Sequence, residues 1–270
     1  MQEKVNGLVM AWDDVGSGPA VVLIHGFPLC RRMWKPQVPA LTAAGYRVIA
    51  CDLRGFGESE SVGSGLSMDL LADDVAALLD HLGIERAVIG GMSMGGYVLL
   101  NLIDRHPQRV AAALFMVTRA AADDEPGKLR RTSLAQEVAK GRPEVVTEAF
   151  EEILFASDVP STRPDLIARV RTWMEATAPE GLKGGLLAMR DRRDYVDLLG
   201  NFNVPSLVIG AERDRAVPLE HSSVLAQGLP AARLCIIPGA GHMANLEQPE
   251  AFNRCVLEFL HHLKTTSMPS

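Results

Sequence analysis

Apolar residues along the chain fall into short runs, each closed by a turn signal and most followed by a stretch with helical spacing. The clearest runs are 20–24, 47–51, 86–90, 110–117, 206–210 and 233–237. Several hold Val, Ile, Leu and Ala without polar alternation, which predicts strands covered on both faces, as in a parallel sheet. Between them lie amphipathic segments. Residues 67–81 set Leu70, Leu71, Val75, Leu78 and Leu79 on one stripe, with Ser67 at the N-cap. Residues 248–263 form a second such helix, with Pro249 in its first turn. Strand and helix in alternation predict an α/β doubly wound sheet.

The rhythm breaks between residues 120 and 199. This interval reads as helical throughout, with candidate helices at 125–140, 143–155, 163–177 and 179–190, and strand signals return at 204–208. We read 1–119 and 200–264 as one sheet domain and 120–199 as a helical cap inserted into it. Such a lid covers the carboxyl ends of the strands, where these sheets bind ligands. The polar tail 264–270 is expected to fray.

Composition narrows the partners. Hydrophobic residues make up 47% of the 270 and charged residues 22%, ordinary for a soluble globular protein. A formal charge of −6 argues against nucleic acid or an anionic membrane as the main partner, because no basic surplus is present to neutralise phosphates. The N-terminus carries no apolar signal core, and the run at 20–24 is too short to span a bilayer, so a cytoplasmic protein is expected. Cys30, Cys51, Cys235 and Cys255 are scattered without a Cys-x-x-Cys pair. That spacing suggests neither a metal site nor a disulfide framework, and buried thiols are expected.

Three loops carry the candidate chemistry. Gly91-Met92-Ser93-Met94-Gly95-Gly96 follows one apolar run and precedes a helical one. Strand, sharp turn and helix are the context of a nucleophile elbow, in which Ser93 takes a strained conformation with its hydroxyl exposed. His25-Gly26-Phe27-Pro28 follows the run at 20–24, where a loop supplies one N–H of an oxyanion hole while the residue after the nucleophile supplies the other. That assigns the amides of Phe27 and Met94, with His25 expected to hydrogen-bond inside the loop. His242, in Gly241-His242-Met243 after the last strand, is the candidate base. The other six histidines sit in the first loop, at helix ends, early in a helix or near the terminus. The acid should follow the preceding strand, where Asp214 is preferred and Glu212 is the reserve; Asp123 and Asp124, one strand earlier, are weaker candidates. The acid holds the imidazole in the tautomer that accepts the serine proton.

With these motifs in this order, the chain resembles the α/β-hydrolase superfamily over nearly its whole length. Asp52-Leu53-Arg54-Gly55-Phe56-Gly57-Glu58-Ser59 belongs to the same pattern. The resemblance implies an α/β-hydrolase fold: a mostly parallel eight-stranded sheet with helices on both faces and a small helical cap. It also implies that Asp52 and Arg54 tighten a loop rather than catalyse. A serine at the elbow sets the chain beside esterases, lactonases, carbon–carbon bond hydrolases and cofactor-free haloperoxidases. The stretches 176–181, 188–191 and 242–252 look like those of 3-oxoadipate enol-lactonases. The substrate of an enol-lactonase carries a carboxylate, which wants a cation in the lid. Arg119, Arg130, Arg131, Arg190, Arg192 and Arg193 are available, though a cap helix bears arginines for solubility as well. Trp34, Trp173, Met92, Met94 and Met189 are candidate pocket or core residues.

The expected function is hydrolysis of a small-molecule carboxylic ester or lactone through an acyl-enzyme on Ser93, with no metal and no organic cofactor. Two alternatives stay open. One is a haloperoxidase-like perhydrolase using the same three residues, and the other is a hydrolase-fold ligand receptor or regulatory protein.

Overall fold

Successive residues of the unbroken apolar runs point to opposite faces of one sheet, and both faces are covered. Val21 and Leu23 pack into one core cluster while Val22 and Ile24 pack into another. Ala112, Leu114 and Met116 part from Ala113 and Phe115 in the same way. The computed structural model describes residues 1–61 and 65–266. Its strands are β1 (Gln2–Val5), β2 (Leu8–Val15), β3 (Ala20–Ile24), β4 (Arg47–Cys51), β5 (Ala87–Met92), β6 (Val110–Met116), β7 (Ser206–Ala211) and β8 (Ala232–Ile237). They form one eight-stranded sheet in the order β1-β2-β4-β3-β5-β6-β7-β8. β2 runs antiparallel to β1 and β4, and every pairing from β4 through β3 to β8 is parallel.

The helices in chain order are α1 (Gln37–Ala43), α2 (Met68–His81) and α3 (Met94–Arg105). Between β6 and β7 come α4 (Glu125–Ala139), α5 (Glu144–Leu154), α6 (Val159–Thr162), α7 (Pro164–Glu175) and α8 (Pro179–Arg190). After β7 follow α9 (Leu219–Gly228), α10 (Ala244–Glu247) and α11 (Pro249–Thr266). Leu71 and Val75 of α2, Val98 and Leu102 of α3 and Leu225 of α9 join one cluster; Leu41 of α1 and Phe252 and Phe259 of α11 join the other. α11 continues through the first residues of the tail expected to fray, and residues 267–270 lie outside the described residues.

Local signals set several element ends. The Ser67 hydroxyl accepts the Leu70 amide at 3.1 Å, capping α2. Ser67→Ala removes that acceptor and is expected to cost about 1 kcal/mol, a fall of roughly 2 °C in a thermal melt of a chain this size. The Asp52 segment is a braced loop. The Asp52 carboxylate takes the Arg31 and Glu58 amides at 2.6 and 2.9 Å as well as the Arg31 guanidinium, and Arg54 grips the buried Asp74 with two nitrogens at 2.8 and 2.6 Å.

One sequence expectation is corrected. Cys235 of β8 and Cys255 of α11 form a disulfide, with Cα atoms 6.5 Å apart, and only Cys30 and Cys51 are buried thiols. The two partners are 20 residues apart and meet because α11 packs back across the edge of the sheet, a tertiary event that spacing does not display.

Candidate active site

The elbow is built by removing side chains. β5 ends at Met92, α3 begins at Met94, and Ser93 between them has φ +53° and ψ −114°, a region that non-glycine residues avoid. A Cβ at Gly91 would collide with the Gly95 carbonyl, and one at Gly95 with the Ile24 carbonyl. Strand and helix therefore approach as closely as they do only with glycine at both places. The turn is pinned on both sides: the Ser93 amide donates to Met116 O at 3.0 Å, and the Thr118 hydroxyl donates to Ser93 O at 2.7 Å. Thr118 had no signal in the sequence, because its role depends on β6 lying beside β5.

The loop after β3 folds over this turn. Gly26 is close enough that a Cβ there would sit 3.4 Å from Ser93 Cβ. His25 is fully buried; its Nδ1 donates to Gly26 O at 2.8 Å and its Nε2 accepts the Leu53 amide at 3.0 Å. Burial lowers its pKa, and the accepted amide fixes one neutral tautomer, so His25 holds the loop as the sequence suggested. Among the described residues, neither the Phe27 amide nor the Met94 amide donates a backbone hydrogen bond outside regular helix and strand pairing.

His242 and Asp214 come from the loops after β8 and β7. His242 Nδ1 lies 2.7 Å from Asp214 Oδ2, and both side chains are buried. Asp214 Oδ1 accepts the amides of Ala216 and Val217, each at 2.8 Å, so the carboxylate is held at both oxygens. The reserve acid, Glu212, points elsewhere and accepts the Gly239 amide at 2.7 Å.

Ser93 and His242 open on one cavity of about 220 Å³. Phe27 lines it and packs edge-on against Phe150 of α5 with ring centroids 5.1 Å apart. Phe150, Ile153, Leu154 and Met189 give it an apolar lining from the helices between β6 and β7, while Arg119, Asp123, Asp124, Arg130 and Arg131 make the rest of its lining polar. Of the pocket candidates, Met189 lines this cavity. Trp34 and Met92 are completely buried in the cluster beneath the sheet, Met94 is core on the other face, and Trp173 lines a separate surface cleft with Arg31 and Arg169. We therefore withdraw Trp34, Trp173 and Met92 as cavity walls. Met92 and Trp34 instead fill core, in the cluster that also holds Val21 and Leu23 of β3 and Leu41 of α1.

Arg130 lines the cavity, and the other five candidate arginines separate by environment. Arg190 pairs with Asp191 and Arg193 with Asp104 at the surface. Arg119, Arg131 and Arg192 instead surround one buried carboxylate, Asp123, with Arg192 at 2.9 Å. Burial alone would raise the Asp123 pKa, but the Arg192 and Arg131 guanidiniums hold it down to about 2. Arg192 also lies over the Tyr97 ring, 4.3 Å from its centroid. Arg119, Arg130 and Arg131 line the cavity with Asp123 and Asp124, so with Arg192 behind them four guanidiniums face two carboxylates and the lining is net positive; the Nε of Arg119 is buried without a hydrogen-bond partner among the described residues. Asp123 was visible in the sequence only as a weak acid candidate.

A family profile described as alpha/beta hydrolase fold matches residues 19–249. The chain belongs to the α/β-hydrolase family. Among solved structures, a thermophilic esterase from Thermogutta terrifontis, determined with malate bound, is 35% identical with a TM-score of 0.93, over 97% of this chain and 99% of that one. The enol-lactonase from Burkholderia xenovorans LB400 is 29% identical with a TM-score of 0.90, over 97% and 100%. Non-heme chloroperoxidase CPO-A1 of Kitasatospora aureofaciens is 30% identical over 95% of this chain and 97% of that protein. Among the described residues, no helix is long and apolar enough to cross a membrane.

Proposed function

We propose that the protein is a serine hydrolase of small carboxylic esters or lactones, with Ser93 as nucleophile, His242 as general base and Asp214 as the acid that orients it. The observation that carries this reading is the His242–Asp214 pair at 2.7 Å opening on the same cavity as a serine strained to φ +53°. Asp214 accepts the Nδ1 proton, which leaves Nε2 free to take the proton of the Ser93 hydroxyl as its oxygen attacks the carbonyl carbon. The amides of Phe27 and Met94 receive the negative charge that develops on the carbonyl oxygen. The C–O bond to the leaving alcohol breaks as His242 returns the proton to it. Water, deprotonated by the same nitrogen, then releases the acid and restores Ser93. The helices between β6 and β7 act as the lid.

The cationic wall of Arg119, Arg130 and Arg131 favours a substrate that bears a carboxylate besides its ester. Malate, seen on the related esterase, is a dicarboxylate and points the same way. Two measurements test the reading. A short-chain p-nitrophenyl ester should turn over repeatedly, with a fluorophosphonate label mapping to Ser93; absence of both would overturn it. An ester with a free carboxylate should then exceed its methyl-capped counterpart in kcat/KM. Arg131→Met is expected to shrink that preference about tenfold, the weight of one charge-assisted hydrogen bond. The likeness to a chloroperoxidase supports a second reading, peracid formation at the same serine. A ratio of ester hydrolysis to peracid formation strongly favouring esters rejects it.

A further inference from the structure

Glu247 closes the short helix α10 and takes no step in the proposed chemistry, yet its side chain is buried behind His242. Oε2 accepts the Gly241 amide at 2.9 Å and the Ala156 amide at 3.2 Å, the latter from the turn between α5 and α6. Oε1 is buried and has no hydrogen-bond partner among the described residues. Around this carboxylate the two segments fit without slack. A Cβ at Gly241 would collide with the Ala156 amide and come within 3.0 Å of Glu247 Oε1. The Met243 amide adds a second tie, to Leu154 O at 2.9 Å, and Arg163 reaches the Leu246 and Glu247 carbonyls at 3.2 and 3.1 Å. Leu154 is itself part of the cavity wall.

We propose that Glu247 is a positioning residue: its carboxylate locks the turn that carries His242 onto the segment 154–156, whose Leu154 lines the cavity, and sets a second negative charge, beside that of Asp214, behind the imidazole. The proposal rests on His242 being the base. Lid and base then move as one body, and the imidazolium formed during acyl transfer is stabilised from two sides. Burial pushes the Glu247 carboxyl up, and the donated amides and the nearby His242 oppose that rise. The other ionisable groups on the elements packed around the pair are Asp214 on Nδ1, Arg213 and Arg215 in the Asp214 loop, which reach Asp158 and the Glu152 carbonyl, Arg163 beyond α10, His221 of α9, and the Asp123–arginine cluster at the cavity.

The test is a histidine NMR titration of the full chain, with the His242 signal assigned by its loss in His242→Gln. Glu247→Gln keeps the size and an acceptor for both amides but removes the charge. The His242 pKa is expected to fall by about half a unit or more, because the protonated ring loses a nearby anion. The acid limb of kcat/KM should move to lower pH with it. A Glu247→Gln protein with a native melting transition and an unchanged His242 pKa would overturn the proposal. If that variant does not fold, Glu247→Asp keeps the charge and shortens the reach: the Gly241 and Ala156 amides should exchange faster than in wild type, and wild-type exchange at both would overturn the proposal. No substrate enters the titration, so an inactive wild type would sink the ester reading and leave this measurement intact.

Discussion

Ser93→Ala is expected to lower kcat for an activated ester by roughly 10⁴- to 10⁶-fold, the scale seen when a serine nucleophile is removed. KM should change little, since the cavity walls stay in place. The loss follows from geometry in which Ser93 alone joins the strained turn to the cavity that His242 also lines. Alanine at φ +53° bears the same backbone strain as serine, and the two bonds that pin the turn run through backbone atoms of residue 93, which the substitution keeps. A thermal melt within a few degrees of wild type therefore accompanies the loss. Residual catalysis above water is expected from the oxyanion donors and substrate binding alone. Turnover above about one hundredth of wild type would remove Ser93 from the role of nucleophile.

The sheet was legible where both faces of a strand are buried. The runs at 20–24 and 47–51 coincide with β3 and β4 to the residue, because every residue after the first of each strand is buried and apolar. β1 and β2 left a weaker trace. β2 mixes exposed Val9 and Asp13 with buried Met10 and Trp12, and so resembles a loop as much as a strand. Ser67 was legible as a cap because capping is settled within four residues. The same locality made the elbow readable, since Gly91, Ser93 and Gly95 answer to one turn.

What needed the structure was every feature settled between distant segments. A buried tryptophan or methionine looks the same in sequence whether it faces a cavity or a neighbouring helix, which is why Trp34 and Met92 were misplaced while Met189 was not. Arg192 and Asp123 are 69 residues apart, and nothing along the chain announces that they share a hydrogen bond with two more arginines close by. Cys235 and Cys255 failed to read as a pair for the same reason, as did the hold of Glu247 on Ala156 across 91 residues.

Asp214→Asn carries the second large expected effect, a fall of roughly 10⁴-fold in kcat near neutral pH. Hydrogen bonding at the acid dictates how the amide must sit. Ala216 and Val217 both donate to Oδ1, so an asparagine turns its carbonyl oxygen to them and leaves its NH₂ at the position of Oδ2. That NH₂ faces His242 Nδ1, which must then accept instead of donate. The imidazole is driven to the tautomer with its proton on Nε2, and a protonated Nε2 cannot take the serine proton. The fold has little reason to suffer, because the substitution keeps shape and both amide acceptors. Glu212→Gln is the matched control, since Glu212 binds Gly239 and not the histidine, and it should hold kcat within a few-fold of wild type. Full activity in Asp214→Asn together with a collapse in Glu212→Gln would move the acid to residue 212 and require the two loops to rearrange when substrate binds.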